Sequence, residues 1–306
     1  MEAIVYKSTG SWYLVRTENG KFINCRLAGK LKLDKNISSS NPIAVGDSVK
    51  IIPEKKQDTA VITEIGEREN YIVRSSPQQR VRRHVLASNI DQAVLLATLR
   101  FPVTSRGLID RFLVTAAAYH IPAVIAFNKT DCYREKEWEK LEAFRLVYQA
   151  MGYNICQISA QNGMIDELKV LLKGKKTLLA GHSGVGKSTV INRLLPERKI
   201  KTQSVSEWSG KGLHTTTYAE MFELPFGGNI IDTPGIREWG IVDIEEAELS
   251  HYFIDMQPFI GECKFNDCLH VDEPGCVIKK AVAEGQIDFD RFESYLSILA
   301  SLQERH

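Results

Sequence analysis

Three short segments of this chain hold residue types that together handle a phosphorylated nucleotide. Gly181-His182-Ser183-Gly184-Val185-Gly186-Lys187-Ser188 fits the pattern G-x-x-x-x-G-K-[ST], follows the apolar run Thr177–Ala180 and opens a helical pattern that continues through Thr189. Glycines at those positions let backbone N–H groups turn inward around phosphate oxygens, reinforced by the helix N-terminus. Lys187 is suited to neutralise the β- and γ-phosphates, and Ser188 to ligate Mg²⁺. Asp232-Thr233-Pro234-Gly235 follows the apolar run Asn229–Ile231. There Asp232 would hold Mg²⁺ through its water shell, and the Gly235 N–H could sense the γ-phosphate. Asn128-Lys129-Thr130-Asp131 follows Pro122–Phe127. The Asp131 carboxylate can accept from guanine N1–H and from the exocyclic amine. Adenine offers no such pair of donors, and a site built for a hydrogen-bonded group rejects a ligand lacking it by ~10⁴-fold or more. Asn128 would brace the loop while the Lys129 stem lies across the base. Ser159-Ala160, at the end of the next apolar run, is placed to contact guanine O6 through the backbone.

Taken singly, D-x-x-G, N-K-x-D and Ser-Ala read equally well as turns at strand ends; their combination and order carry the signal. In a Ras-like GTPase the phosphate loop opens the domain and the guanine reader comes near its end. Here the guanine reader precedes the phosphate loop by about fifty residues. That order implies a circularly permuted GTPase domain.

The segment Val205–Thr217 sits where switch I is expected, with Gly210 and Gly212 giving it freedom. A threonine hydroxyl there should reach Mg²⁺, and Thr216 is favoured over Thr215. Ras-like enzymes place a glutamine after the D-x-x-G glycine to orient the attacking water; this chain has Ile236, which cannot. Hydrolysis should therefore be slow unaided. His214 is the candidate for orienting or deprotonating water, against the plainer reading of a structural histidine.

Cys263, Cys268, His270 and Cys276 form C-x₄-C-x-H-x₅-C. A closed Cys₃His set suits one structural Zn²⁺ with no open catalytic position, and Pro274-Gly275 would turn the loop back to its last ligand. About sixty residues build a stable core poorly, so the metal should organise this segment.

The elements that must position these residues are legible as texture. Short strands are expected at Ala3–Lys7, Trp12–Thr17, Lys21–Leu27, Ser48–Pro53 and Ala60–Ile65, with a turn at Asn19-Gly20 and a loop at Ser38–Pro42. Five strands in about seventy residues suit a small barrel of the OB-fold type. Tyr6, Trp12, Tyr13 and Phe22 alternate with Lys7, Arg16, Lys21 and Arg26; half of these aromatics should be core, and the rest could stack on bases. Ser75–His84, polar and basic, reads as a linker. Beyond it, apolar runs at Ala93–Leu99, Ala123–Phe127, Ile155–Ile158, Thr177–Ala180 and Asn229–Ile231 alternate with helical patterns at Leu108–Tyr119, Glu135–Met151 and Ser188–Leu195. That predicts an α/β doubly wound parallel sheet, with Tyr218–Leu224 as an antiparallel edge strand. From about Glu245 the pattern is mostly helical. The expected division is a barrel over 1–70, a permuted GTPase domain over 71–244 with its linker at about 71–88, and a zinc-binding helical domain over 245–306.

Net charge is +1, distributed as +6 over residues 1–88 and −5 over the remainder. A basic front end fits a polyanionic partner, or simply a lysine-rich surface. No apolar run approaches a membrane span, no secretory leader is visible, and clustered rather than evenly spread cysteines point to metal in a reducing cytosol.

Together these segments strongly resemble the RsgA (YjeQ) family of small-ribosomal-subunit-dependent GTPases. The matching order is barrel, N-K-x-D, S-A, G-x-S-G-V-G-K-S, G-x-H-T-T-T (Gly212–Thr217), D-x-P-G and C-x₄-C-x-H-x₅-C, so the likeness covers essentially the whole chain. Ser88–Gln92 and Leu108–Phe112 also look like family segments, and Thr233 stands where relatives often carry serine. The resemblance implies a cytoplasmic, monomeric GTPase acting late in small-subunit maturation, binding 16S rRNA of the 30S subunit through barrel and zinc domain. It implies hydrolysis stimulated by the subunit, and a catalytic histidine at His214. Because the permutation puts the zinc domain directly after switch II, the γ-phosphate could reposition an RNA-binding lobe. Two rival readings are a nucleotide-gated RNA-binding scaffold with incidental hydrolysis and a phosphate-loop ATPase or kinase that happens to carry N-K-x-D.

Overall fold

A computed structural model describes residues 1–28, 42–55, 57–76, 79–197, 219–233 and 244–304. The expected switch I residues, with His214, Thr215 and Thr216, and the residues Pro234, Gly235 and Ile236 lie outside them.

Strands β1 (Glu2–Ser8), β2 (Tyr13–Thr17), β3 (Phe22–Leu27), β4 (Ser48–Pro53) and β5 (Thr59–Ile65) form the front of the chain. They pair in the ring β1-β2-β3-β5-β4 and close by a β1–β4 pairing, which makes a five-stranded barrel. Alternation puts Val5, Tyr13, Val15, Cys25, Val49, Ile51 and Ile62 inside. Of the four aromatics, Tyr6 and Tyr13 are buried, whereas Trp12 is 47% and Phe22 45% exposed. The division into core and surface rings expected from the sequence holds.

The segment read as a linker is instead a hairpin, β6 (Tyr71–Ser76) with β7 (Gln79–Ser88). Buried Ile72, Val73, Val85 and Ala87 anchor its base, with Ile72 opposite Ala87 and Val73 opposite Val85. The polar stretch between them hides that pairing from a composition-based reading.

The central sheet runs β10 (Asn154–Gln157), β9 (Ala123–Phe127), β8 (Gln92–Ala97), β11 (Lys176–Ala180), β13 (Asn229–Asp232), β12 (Glu220–Glu223), parallel throughout except for β12. Both faces are covered, so β8 is buried at every residue. Its alternation feeds two cores. Ala93, Leu95 and Ala97 face α1 (Arg106–Ala118) and α2 (Glu135–Ala150), through residues such as Phe112 and Phe144. Val94 and Leu96 face α3 (Asp166–Leu172) and α4 (Lys187–Leu194), through Leu168, Val190 and Ile191. Local capping sets the helix starts: the Ser105 side chain accepts the Leu108 N–H at the start of α1, and Glu137 accepts the Arg134 N–H ahead of α2. The chain winds outward from β8 to β10, then returns to lay β11 on the other flank of β8. This reversal is the crevice where doubly wound sheets hold ligands, at the strands' carboxyl ends.

The expected edge strand β12 is antiparallel but not an edge. It pairs with β1 at Lys7 and Glu220, so barrel and central sheet form one eleven-stranded sheet. Lys7 Nζ lies 3.0 Å from Glu220, Arg16 Nε lies 2.7 Å from Glu223, and Tyr6 Oη donates to Glu223.

The last segment holds 3-10 turns at Glu246–Tyr252 and Gln257–Phe259, then α5 (Val277–Ala283) and α6 (Phe289–Gln303). Leu249, Phe253, Ile278, Tyr295 and Ile298 build a core that takes in Val114 of α1. Arg291, 1% exposed, pairs with Asp110 of α1 at 2.6 Å and Asp255 at 2.7 Å, and Tyr148 of α2 donates to the same Asp110. Among the described residues no helix is long and apolar enough to cross a membrane.

Candidate nucleotide site and metal cluster

The phosphate loop leaves β11 at Gly181 and enters α4 at Lys187. Two of its glycines are required by their neighbours. Gly186 has φ +94°, and a Cβ there would stand 2.5 Å from Asn128 Nδ2. Gly184 has φ +85°, and a Cβ would meet Pro102 at 3.2 Å. Val185 is buried in the core, Ser183 and Gly184 are exposed, and Ser188 and Thr189 are half-buried on the first turn of α4. His182 turns toward Thr104, with Nε2 2.8 Å from its Oγ1, and partial burial lowers its pKa, so the ring is neutral at pH 7.

Asn128 is buried at the end of β9 and joins two loops. Its Nδ2 donates to Val185 O at 2.8 Å, and its Oδ1 accepts the Ala160 N–H at 3.1 Å. Lys129, at φ +62°, donates to Gly184 O at 2.6 Å and also to Phe101 O. Thr130 donates to Ile158 O. The Asp131 carboxylate accepts from the Ser159 hydroxyl and, at 3.3 Å, from the Cys132 thiol. Partial burial opposes its ionisation, but those hydrogen bonds and Lys129 outweigh it and hold Asp131 below the usual carboxylate range. It is an exposed, ionised acceptor at the mouth of the crevice.

On the other flank, Lys187 Nζ lies 2.9 Å from Asp232 Oδ1 and donates to Thr233 O at 3.2 Å. Asp232 is 5% exposed, so this carboxylate is buried beside the Lys187 ammonium. The Thr233 hydroxyl, fully buried, has no hydrogen-bond partner among the described residues. Such a pairing fits a site that receives Mg²⁺ with a phosphate: anionic oxygens would draw the ammonium off, leaving Asp232 for the cation. The three motifs, scattered from 128 to 232 in sequence, are therefore one hydrogen-bonded unit: Asn128 to Val185, Lys129 to Gly184, Lys187 to Asp232. Sequence reasoning did not single out Thr104 or Tyr133, whose hydroxyl donates to Asn128 O, because both act through tertiary contacts with no local signature.

Cys263, Cys268, His270 and Cys276 bring their donor atoms within 4.8 Å of one another. Cys263 Sγ is 3.9 Å from Cys276 Sγ, and His270 Nδ1 lies 3.6 and 3.4 Å from these two sulfurs. Tetrahedral bonds of about 2.3 Å to sulfur and 2.0 Å to nitrogen would set edges of ~3.8 and ~3.5 Å. The donor set fits such an ion. Burial, then the neighbouring sulfurs, pushes the Cys268 thiol up to about 12, so deprotonation here needs a cation. Glu273, also not foreseen, clamps the loop by accepting the Leu269 and Val271 N–H groups at 2.8 Å each.

Comparison with known proteins agrees with this geometry. Residues 2–62 match the RsgA N-terminal domain family, and residues 65–242 match the RsgA GTPase family. A relative from Phocaeicola vulgatus, "Small ribosomal subunit biogenesis GTPase RsgA", is 47% identical over 99% of this chain and 98% of its own. One of the same name from Flavobacterium psychrophilum is 47% identical over 100% and 94%. Among solved structures, YjeQ from Thermotoga maritima aligns over 100% of this chain and 99% of its own, with TM-score 0.80 and 36% identity. YloQ, described as a circularly permuted GTPase, aligns with TM-score 0.76 and 29% identity over 100% and 96%. The two structural likenesses run over the whole of this chain, and so take in the N-K-x-D loop, the phosphate loop and the strand end at Asp232 alike. The chain belongs to the RsgA family of circularly permuted GTPases and is a GTP hydrolase.

Proposed function

We propose that this GTPase acts in late assembly of the small (30S) ribosomal subunit, in the cytoplasm and as a monomer, binding 16S rRNA and hydrolysing GTP when the subunit engages it. The names of its relatives supply the biogenesis context. The observation that carries the enzymatic half is the bonded unit joining Asn128, Lys129, the phosphate loop and Asp232. In this reading the chain comprises a barrel (1–70), a GTPase domain (71–244) and a metal-binding domain (245–306). Trp12 and Phe22 on the barrel are available for base stacking beside Lys7, Arg16, Lys21 and Arg26.

Asp131 reads guanine N1–H and the 2-amino group, with Ser159 and Ala160 beside it; Asn128 and Thr130 hold the loop, and Lys129 lies along the base. Gly181 to Gly186, with Ser188 and Thr189, wrap the phosphates, and Gly235 meets the γ-phosphate. Lys187 neutralises charge developing on the transferred phosphoryl group. Ser188, Thr216 and Asp232 would hold Mg²⁺, which would neutralise charge on the phosphates. His214 orients the water, a task Ile236 cannot perform. One Zn²⁺ on Cys263, Cys268, His270 and Cys276 is structural. GTP favours the subunit-bound state and hydrolysis releases the protein.

The test is multiple-turnover GTP hydrolysis titrated with small subunits. Wild type should be strongly stimulated, Ser188→Ala inactive throughout, and His214→Ala bound to the subunit but unstimulated. Stimulation that survives in His214→Ala removes the histidine from the chemistry, and no stimulation of wild type leaves a nucleotide-gated RNA-binding scaffold. Equal subunit affinity with GDP and a non-hydrolysable GTP analogue would contradict the release step.

A further inference from the structure

Arg193 belongs to none of the nucleotide motifs, yet it joins two of them. It lies on α4, the helix that opens from the phosphate loop, and reaches across to the turn after β10. Its Nε donates to Ala160 O at 2.9 Å and its Nη2 to Gln161 O at 2.7 Å. A guanidinium is a rigid planar fork, so seizing two successive carbonyls fixes the intervening peptide in orientation as well as position. The opposite side of the same residue is also held, because the Ala160 N–H meets Asn128 Oδ1. The turn closes on itself through paired Ser159 and Met164 bonds and the Gly163 N–H to Ala160 O. Those bonds shape the turn locally; among the described residues Arg193 is what ties its carbonyls to the helix that carries the phosphate loop.

From this we infer that Arg193 is a positioning residue for guanine recognition, setting the Ala160–Gln161 peptide so that its N–H, on Gln161, is presented to the 6-oxo group. The inference rests on the guanine-site reading above and extends it. Asp131 reads the 2-amino and N1–H edge; the Arg193-anchored turn reads position 6. The phosphate loop and the base reader thereby keep a fixed spacing although the permutation separates them in the chain.

Three nucleotides divide the two edges: GTP carries the 6-oxo group, N1–H and the 2-amino group, ITP lacks only the 2-amino group, and 2-aminopurine riboside triphosphate lacks the 6-oxo group and with it the N1–H. Affinities for wild type, Arg193→Ala, Arg193→Lys and Asp131→Ala are measured by competition against a fluorescent GDP, alongside kcat and KM for GTP. Arg193→Ala should weaken GTP and ITP alike, by ~5- to 20-fold, as for loss of hydrogen bonds from a charged donor. The 2-aminopurine nucleotide should be unaffected. KM should rise with kcat unchanged at saturation, and Arg193→Lys, which keeps the charge but not the fork, should recover part of the loss. Equal weakening of all three nucleotides would mean that the turn has merely loosened, and no weakening would mean that the fork is idle; either result overturns the proposal. Asp131→Ala serves as the separate control: it should weaken GTP more than either ITP or the 2-aminopurine nucleotide, each of which offers Asp131 only one of its two donors. If it does not, the guanine-site reading itself has failed, whatever Arg193 does.

Discussion

The nucleotide crevice and the Cys₃His cluster solve opposite problems of preorganisation. In the crevice, parallel strands end together, and the loops that leave them bond to one another: Asn128 to Val185, Lys129 to Gly184, Ser159 to Asp131. In the cluster, the four donors sit on a loop between short helical turns, held mainly by Glu273 and by Tyr295 Oη donating to Leu269 O. Three thiols and an imidazole there face one another, a donor set that a cation would complete. A site drawn at the ends of a sheet takes its geometry from the fold; the cluster would draw its stability from the ion it holds. The difference teaches that nucleotide binding and metal binding should fail separately.

The largest separation is expected in catalysis. Lys187→Ala should lower GTP turnover by ~10²-fold or more while zinc content stays at one ion per chain, measured by phosphate release and metal analysis. The reverse experiment removes the metal. Chelation, or Cys276→Ser, should forfeit much of the ~10 kcal/mol typical of structural zinc, read as an early thermal transition and rapid proteolysis within 245–306. Fluorescent GDP should still bind, because among the described residues no hydrogen bond or ion pair joins the cluster to the crevice loops. Loss of both activities together would erase the comparison.

A buried ion network joins α6 of the last segment to α1 of the central domain and allows a sharper test. Arg291 is 1% exposed, and removing it strands Asp110, which is 0% exposed. Arg291→Ala should therefore destabilise the protein by about 3–5 kcal/mol in chemical denaturation. The barrel junction should be far more tolerant, since the Lys7–Glu220 pair is 38% and 15% exposed. Lys7→Ala should change stability by under ~1 kcal/mol, because solvent screens such pairs and β-pairing at Lys7 and Glu220 remains.

Much of this architecture can be read along the chain because its signals are local. Alternation in β1 to β5 and the glycine spacing of 181–186 report contacts made within a few residues. The segment Ser75–His84 misleads for the opposite reason: four apolar residues at its base, Ile72, Val73, Val85 and Ala87, decide the hairpin, and the polar stretch between them hides it. The union of β12 with β1 joins residues 7 and 220, and nothing near either announces the other. Helix α3, only seven residues long, leaves too short a period to detect. Within the site, motif residues were legible because phosphate and guanine chemistry dictates their spacing. Thr104, Tyr133 and Arg193 were not, because each serves a neighbour brought close by folding, and Glu273 was not because a single glutamate clamping nearby N–H groups of its own loop has no distinguishing spacing.

The measurement that bears most directly on the account exchanges the base. In Asp131→Asn the acceptor pair for guanine is replaced by a donor, which suits the 2-oxo group of xanthine. Turnover of XTP and GTP by this variant, with the phosphate loop untouched, should show XTP hydrolysed and GTP discriminated against. Retained preference for GTP would contradict the claim that residue 131 faces the base of the nucleotide whose phosphates rest against Lys187.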